Sequence, residues 1–303
     1  MIIFKISFCK LYRMELISYP SKEIQIGEFY DTKIIINQDL TLYNEDGMLV
    51  FCFIKNCIPD NMYDFSDKIV KMSKQESVNR GNAAGRVTLD GLQKGKTHWK
   101  AYPVEVTNAS GEPLNGSKSS SFFKYNDGRI SKRARSNSVM SSALGGFDKS
   151  PHNGCRLTHY TKKILKEYPS IFPLCEHICK IYQNKFPDYY AAQKDVYDDS
   201  PVDYIIPKSV FSTITLNHDF RTAAHMDKGD CKKGLTCFTV KKCGEYTGGE
   251  ICFPEYQMGC NVEQGDLLIF NPHIMHCNNA LEGEGRMSMV FYIRQKMNQC
   301  ESI

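Results

Sequence analysis

Three side chains in the C-terminal third have the types and spacing of a metal site. His225 and Asp227 are two residues apart, and a second imidazole follows at His276. Two imidazoles and one carboxylate can occupy one face of a ferrous ion and leave the opposite positions open, the arrangement of non-haem iron oxygenases. Two histidines compete for the distal position in Asn271-Pro272-His273-Ile274-Met275-His276. His273 sits in the turn after Pro272, whereas His276 opens the next strand and is preferred; His273 then reads as a polar loop residue. Arg286 lies ten residues further on (286 − 276) and offers a planar fork for a carboxylate. Ser288 shares its strand face and adds a hydroxyl. Together these groups imply Fe(II), O2 and a keto-diacid cosubstrate, 2-oxoglutarate.

Such ligands must be held by rigid elements. From residue 205 onward the chain reads as short strands: Val210 to Leu216, Leu235 to Val240, Gly249 to Phe253, Leu267 to Phe270 and Met287 to Ile293. Glycine, asparagine and proline punctuate them. Residues i and i+2 of a strand point the same way, so His225 and Asp227 can reach one ion. Many short strands separated by turns predict a sandwich or barrel. The expected fold class is α+β: a double-stranded β-helix (jelly roll, cupin-like) with flanking helices. Residues 157–186 carry two helical stretches broken at Pro169 and Pro173, with Leu174, Ile178, Ile181, Tyr182 and Phe186 on one apolar face. Cys175 and Cys179 share a face, which reads as buried packing, while His177 points elsewhere.

The N-terminal third is less telling. Residues 33–37 and 48–54 read as strands joined through a turn at Asn44-Glu45-Asp46-Gly47, and 60–74 as a helix. Arg80-Gly81-Asn82-Ala83-Ala84-Gly85 reads as a plain turn, with backbone amides presented to an anion as the alternative. Residues 105–142 shift to Ser, Gly, Asn and Lys and include Lys132-Arg133-Ala134-Arg135. A flexible loop is expected there. The domain reading is 1–104 as an α/β extension packing on the core, 105–142 as that loop, and 143–303 as the oxygenase domain.

The 303 residues carry a net charge of +4 and a pI near 8.3, which permits nucleic-acid contact without requiring it. The 13 cysteines include no Cys-x-x-Cys pair, so zinc ribbons and thioredoxin-like sites are unsupported, and the pattern suits a reducing, intracellular setting. No run of 18 apolar residues predicts a membrane span. The first residues lack a signal-peptide core, and Met14 is an alternative start.

Beyond these readings, His225-Met226-Asp227, Gly234-Leu235-Thr236-Cys237-Phe238-Thr239 and Arg286-Met287-Ser288-Met289-Val290-Phe291-Tyr292 resemble the Tet/J-binding-protein superfamily of 2-oxoglutarate- and iron-dependent nucleobase dioxygenases. The block from Gly145-Gly146-Phe147-Asp148 to Cys155-Arg156-Leu157-Thr158 is similar to its upstream element. The resemblance covers roughly residues 140–295. Residues 1–120 match neither the Tet cysteine-rich region nor the base-binding domain of J-binding proteins. It implies that His225, Asp227 and His276 hold Fe(II), that Arg286 and Ser288 bind 2-oxoglutarate, and that Arg156 also touches it. It further implies hydroxylation of a pyrimidine methyl in DNA, thymine or 5-methylcytosine, on a base flipped out of the duplex. A prolyl-type protein hydroxylase and a non-catalytic nucleic-acid binder are the alternative readings.

Overall fold

Alternation along the strand Arg286–Tyr292 sets the layering. Met287, Met289 and Phe291 join a buried core with Leu144, Ile214 and Leu216, whereas Arg286 and Ser288 point to the other face of the sheet. The computed structural model describes residues 24–85, 137–150 and 153–302, together with the backbone of the paired strands Ala101–Val104 and Phe122–Tyr125. The basic run at 132–135 and the region around Met14 lie outside the described residues.

The large sheet runs from edge to edge as Leu40–Tyr43, Leu49–Ile54, Leu267–Phe270, Thr236–Lys242, Arg286–Tyr292, Thr213–His218, Val139–Phe147 and Glu76–Ser77. Its neighbours are antiparallel throughout. A smaller sheet orders Ile34–Ile36, Met258–Cys260, Ile251–Phe253 and Cys277–Asn278. Between the two sheets lie Phe51, Phe53, Phe238, Phe253 and Phe270, with Phe51 and Phe253 stacked at 4.9 Å. Truncating one such ring to alanine typically costs about 3–5 kcal/mol. On the outer face of the large sheet pack Ile171, Leu174, Cys175, Ile178 and Tyr182. This is the jelly-roll core with flanking helices that the strand punctuation implied.

Several boundaries differ from the expectation. Pro173 falls in the first turn of the helix Phe172–Lys185 instead of interrupting it, because the first-turn amides need no intrahelical partner. A further helix, Pro187–Asp198, was not foreseen. Residues 60–74 divide into a 3-10 turn, Asp60–Tyr63, and a helix, Asp67–Ser73, capped by Ser66. Residues 139–142, which composition assigned to the flexible loop, begin the strand Val139–Phe147 beside Thr213–His218. The N-terminal segment is more than an extension lying on the core. Its strands complete both sheets: Leu49–Ile54 pairs with Leu267–Phe270, and Ile34–Ile36 with Met258–Cys260 in parallel. Asp266, buried after Gly265, fixes that junction by accepting from the Asn56 amide at 2.9 Å and the Lys55 ammonium at 2.7 Å. Cys155 and Cys300 form a disulfide that their spacing did not suggest, and ten other described cysteines are free. Among the described residues no helix is long and apolar enough to cross a membrane.

His218 joins the helix Asp67–Ser73 to the sheet. Its Nε2 lies 2.6 Å from the Ser73 hydroxyl, and the ring is buried. Burial, with Lys74 nearby as the smaller cause, pushes its pKa down to about 4. The unfolded chain therefore binds a proton near pH 6.5 that the folded chain refuses until about pH 4. The folded-state advantage is complete above pH 6.5 and is lost as pH falls toward 4, on the order of 3 kcal/mol. Urea unfolding between pH 7.5 and 4 should show this loss. His218→Gln should flatten the profile over that window; an unchanged profile in the variant would contradict the assignment.

Candidate metal centre

The metal ligands sit on backbone that pairs directly. His225 and His276 form an antiparallel bridge, each amide donating to the other's carbonyl at 3.0 Å. Opposed residues of such a pair project to the same face, and here the ring centroids are 4.3 Å apart. Each ring is then oriented by a carbonyl two residues earlier in the chain. Nδ1 of His225 donates to the Ala223 carbonyl at 2.7 Å, and Nδ1 of His276 to that of Ile274 at 2.9 Å. Both Nε2 lone pairs are left for a cation. The Asp227 amide donates to the Pro272 carbonyl at 2.8 Å, which swings the carboxylate toward the same point. Its oxygens lie 3.9 Å from His225 Nε2 and 3.5 Å from His276 Nε2. The three ligand atoms all lie within 4.8 Å of one another. Ligands at about 2.1 Å from one ion stand roughly 3 Å apart, so a small contraction closes the set.

The protonation states fit a divalent ion. Burial, and then the neighbouring His276, push the His225 pKa down to about 4, so this imidazole is neutral at pH 7. For Asp227, burial acts to raise the pKa, but the close approach of His276 and then of His225 outweighs it. The carboxyl is held well below the usual range. About a third of its side-chain surface remains open to solvent, 34%, whereas the His276 side chain is 5% exposed. The ring of Phe270 meets His276 edge to face at 5.0 Å and backs the site with apolar surface. His273 is absent from the cluster: its Nε2 faces the Cys231 carbonyl at 3.3 Å.

Arg286 is buried, only 3% exposed, and among the described residues no carboxylate pairs with its guanidinium. Burial pushes its pKa down, with Tyr246, Glu250 and Asp219 acting in the opposite sense. Its backbone is pinned by Asp219, which adopts a left-handed conformation and accepts from the amides of Gly285 and Arg286, both at 2.7 Å. The guanidinium lies 5.7 Å from the centroid of the Phe238 ring. Gly249 lets it pass: a β-carbon there would stand 3.1 Å from Arg286 Nε. A buried, unpaired guanidinium against a glycine gap is a receptor for an anion. Ser288 lies next on this face, its hydroxyl accepting from Asn217 at 3.4 Å.

Arg156 is not brought to Arg286. It pairs with Phe147, at the far end of the strand Val139–Phe147. In the shared register Ser141 lies opposite Asn217 and Asn217 opposite Ser288. Position 147 is thus eight residues from the Arg286 level (286 aligns with 139), roughly 26 Å along the sheet. Its guanidinium donates to the Gly154 carbonyl at 3.0 Å. Sequence reasoning missed Asp219 and Asn278, whose amide ties Gly249 in place at 3.0 Å. It also missed Arg80 as a contributor to this site. The turn Gly81–Ala84 pins the approach to His225 through Ala83 and Ala223, and the charge of Arg80 acts on both His225 and Asp227. A lone arginine 145 residues upstream (225 − 80) carries no local signal.

Comparison with known proteins agrees with this geometry. Thymine dioxygenase JBP1 of Trypanosoma brucei brucei is 36% identical over 152 residues, 48% of this chain and 18% of that protein. Thymine dioxygenase JBP1 of Crithidia fasciculata is 30% identical over 196 residues, 58% of this chain and 23% of that protein. The match therefore spans less than a quarter of these relatives' length. The structure of NgTET1 in complex with 5mC DNA superposes with a TM-score of 0.53 at 11% identity, covering 93% of this chain and 86% of that one, a likeness of fold. The Tet_JBP family, described as the oxygenase domain of the 2OGFeDO superfamily, matches residues 143–295, half of the chain and every ligand of the metal cluster. The chain belongs to that family.

Proposed function

We propose that this protein is an Fe(II)- and 2-oxoglutarate-dependent dioxygenase that hydroxylates the methyl group of a pyrimidine base in DNA. Thymine to 5-hydroxymethyluracil is the leading reaction and 5-methylcytosine to 5-hydroxymethylcytosine the second. The observation that carries the reading is the presence, with the His225, Asp227 and His276 cluster, of a buried guanidinium with which no described carboxylate pairs. The names of the similar thymine dioxygenases favour thymine over a peptide substrate.

His225, Asp227 and His276 would hold the iron, with a single formal negative charge among them. Arg286 would grip the far carboxylate of 2-oxoglutarate, with Ser288 donating beside it. When bound, iron and 2-oxoglutarate convert O2 into the oxidant that replaces a methyl hydrogen by hydroxyl, releasing succinate and carbon dioxide. The chain's own part is orientation. The two carbonyl contacts fix the imidazoles, Phe270 and Phe238 keep the inner wall apolar, and Asp227 marks the open side from which a flipped base would enter.

Incubation with Fe(II), 2-oxoglutarate and thymine-containing duplex, followed by nucleoside mass spectrometry, should yield 5-hydroxymethyluracil. His225→Ala should abolish it. A wild-type protein that leaves thymine and 5-methylcytosine untouched would refute the proposal. Arg286→Lys should raise the KM for 2-oxoglutarate by about 10- to 100-fold, a cost of 1.4–2.8 kcal/mol, because a point charge replaces a two-pronged fork. The KM for DNA should barely move. Gly249→Ala, which places a methyl against Arg286 Nε in a left-handed backbone, should raise the same constant without touching a ligand. An unaltered 2-oxoglutarate KM in both variants would show that Arg286 is not the anchor.

A further inference from the structure

The loop that follows Asp227 is strongly basic. Lys228, Lys232 and Lys233 are exposed, and no described carboxylate pairs with them. This loop is clasped to the chain after the strand Arg286–Tyr292. The Gln295 amide donates to the Gly229 carbonyl at 3.0 Å, and the Gln295 side chain to the Lys228 carbonyl at 3.3 Å. Asp230 forms a bridge with Arg294, and the Cys231 amide donates to the Ile293 carbonyl at 3.0 Å. Lys296 is therefore a close neighbour, and it too is exposed. On the other side, the guanidiniums of Arg294 and Arg156 each lie 5.8 Å from the Phe147 ring. Lys149 is exposed two residues beyond that ring. The disulfide Cys155–Cys300 ties the Arg156 hairpin to the C-terminal turn.

The acids nearby do not cancel this charge. Asp148 is buried and taken up by Arg294 Nε at 3.0 Å. Asp230 is buried with Thr236, and Asp203 has a partner of its own. Glu301 is exposed at the edge, and Asp195 and Asp199 are exposed on and just after the helix Pro187–Asp198, whose Val196 and Tyr197 pack behind Cys231. The loop itself carries a row of ammonium groups without a described carboxylate partner, starting one residue from the metal ligand Asp227.

We propose that Lys228, Lys232 and Lys233, flanked by Lys149, Arg156 and Lys296, form the rim that binds the phosphodiester backbone of the DNA substrate beside the metal centre. The proposal rests on the DNA reading above and adds the surface that holds the duplex. Phosphate contacts position without reading sequence, and each neutralised phosphate steepens the salt dependence of binding. The rim also gives Arg156 a role on the outer edge, where the fold puts it.

The test compares Lys228→Gln/Lys232→Gln/Lys233→Gln with a charge-matched control, Lys166→Gln/Lys180→Gln/Lys185→Gln, on the helical side of the large sheet. Duplex binding is followed by fluorescence anisotropy from 50 to 300 mM salt, and turnover by nucleoside mass spectrometry. The rim triple should weaken binding about tenfold or more and flatten the log K against log salt slope by about 2 to 3. Its kcat at saturating DNA and its KM for 2-oxoglutarate should stay at wild-type values, and the control should change affinity less than about twofold. The double variant Lys232→Gln/Lys233→Gln, which spares the neighbour of Asp227, should show about two-thirds of the slope change. Equal losses in rim and control variants would overturn the proposal, because net charge alone would explain them. So would a rim triple that turns over DNA with unchanged affinity and slope, while leaving the DNA reading intact. A wild-type protein with no action on DNA would sink both.

Discussion

Everything at the metal centre depends on one two-residue bridge. His225 and His276 exchange both backbone hydrogen bonds, and each ring is then turned by a carbonyl two residues earlier in the chain. Four backbone contacts thus fix two imidazoles before any metal arrives. The third ligand hangs from the same scaffold through the amide of Asp227 and the carbonyl of Pro272. Because these restraints tie the two ligand segments to each other and each ring to a carbonyl of its own segment, the ligand geometry is set by local backbone pairing outside the named strands.

The same scaffold supports a charge that would otherwise be costly. A buried guanidinium without a counterion weakens a fold. Here the cost is spread over several supports. Asp219 holds the Arg286 backbone, Phe238 lies against the cation, and Gly249 yields the space. Asn278, two residues beyond His276, holds Gly249 through its carbonyl. The strand that carries the distal metal ligand therefore also shapes the gap that admits the arginine. Metal and dicarboxylate sites are built from one set of backbone contacts, so a shift in one is felt by the other.

How much of this was legible depends on the range of the signal. His225, Asp227, His276 and Arg286 stood out because their chemistry is rare and their spacing short, and strand alternation put Arg286 and Ser288 on one face. The helix Phe172–Lys185 shows in its apolar period, but the spacing alone makes Pro173 a break, because the first-turn exception depends on where the helix begins. Asp219 was invisible, since its role needs a left-handed backbone and two amides 66 and 67 residues away. Arg156 lies within a family-like block, yet strand register places it at the opposite end of the sheet from Arg286. Register between distant strands is a tertiary fact that local spacing does not encode.

The N-terminal segment shows why the boundary of a family and the boundary of a folding unit differ. The family match begins at residue 143, but Leu49–Ile54 covers the edge of Leu267–Phe270, and an uncovered edge strand is a site of uncontrolled pairing. Phe51 and Phe53 from this strand complete the aromatic layer between the sheets, where Phe51 stacks on Phe253 and Phe253 meets Phe270. Phe270 in turn backs His276. A chain of ring contacts thus runs from a strand outside the matched region to a metal ligand inside it. On the other side, the turn Gly81–Ala84 holds Ala223, two residues from His225. Residues 24–85 are therefore part of the wall and floor of the site, and the oxygenase unit extends well upstream of the segment that carries its ligands.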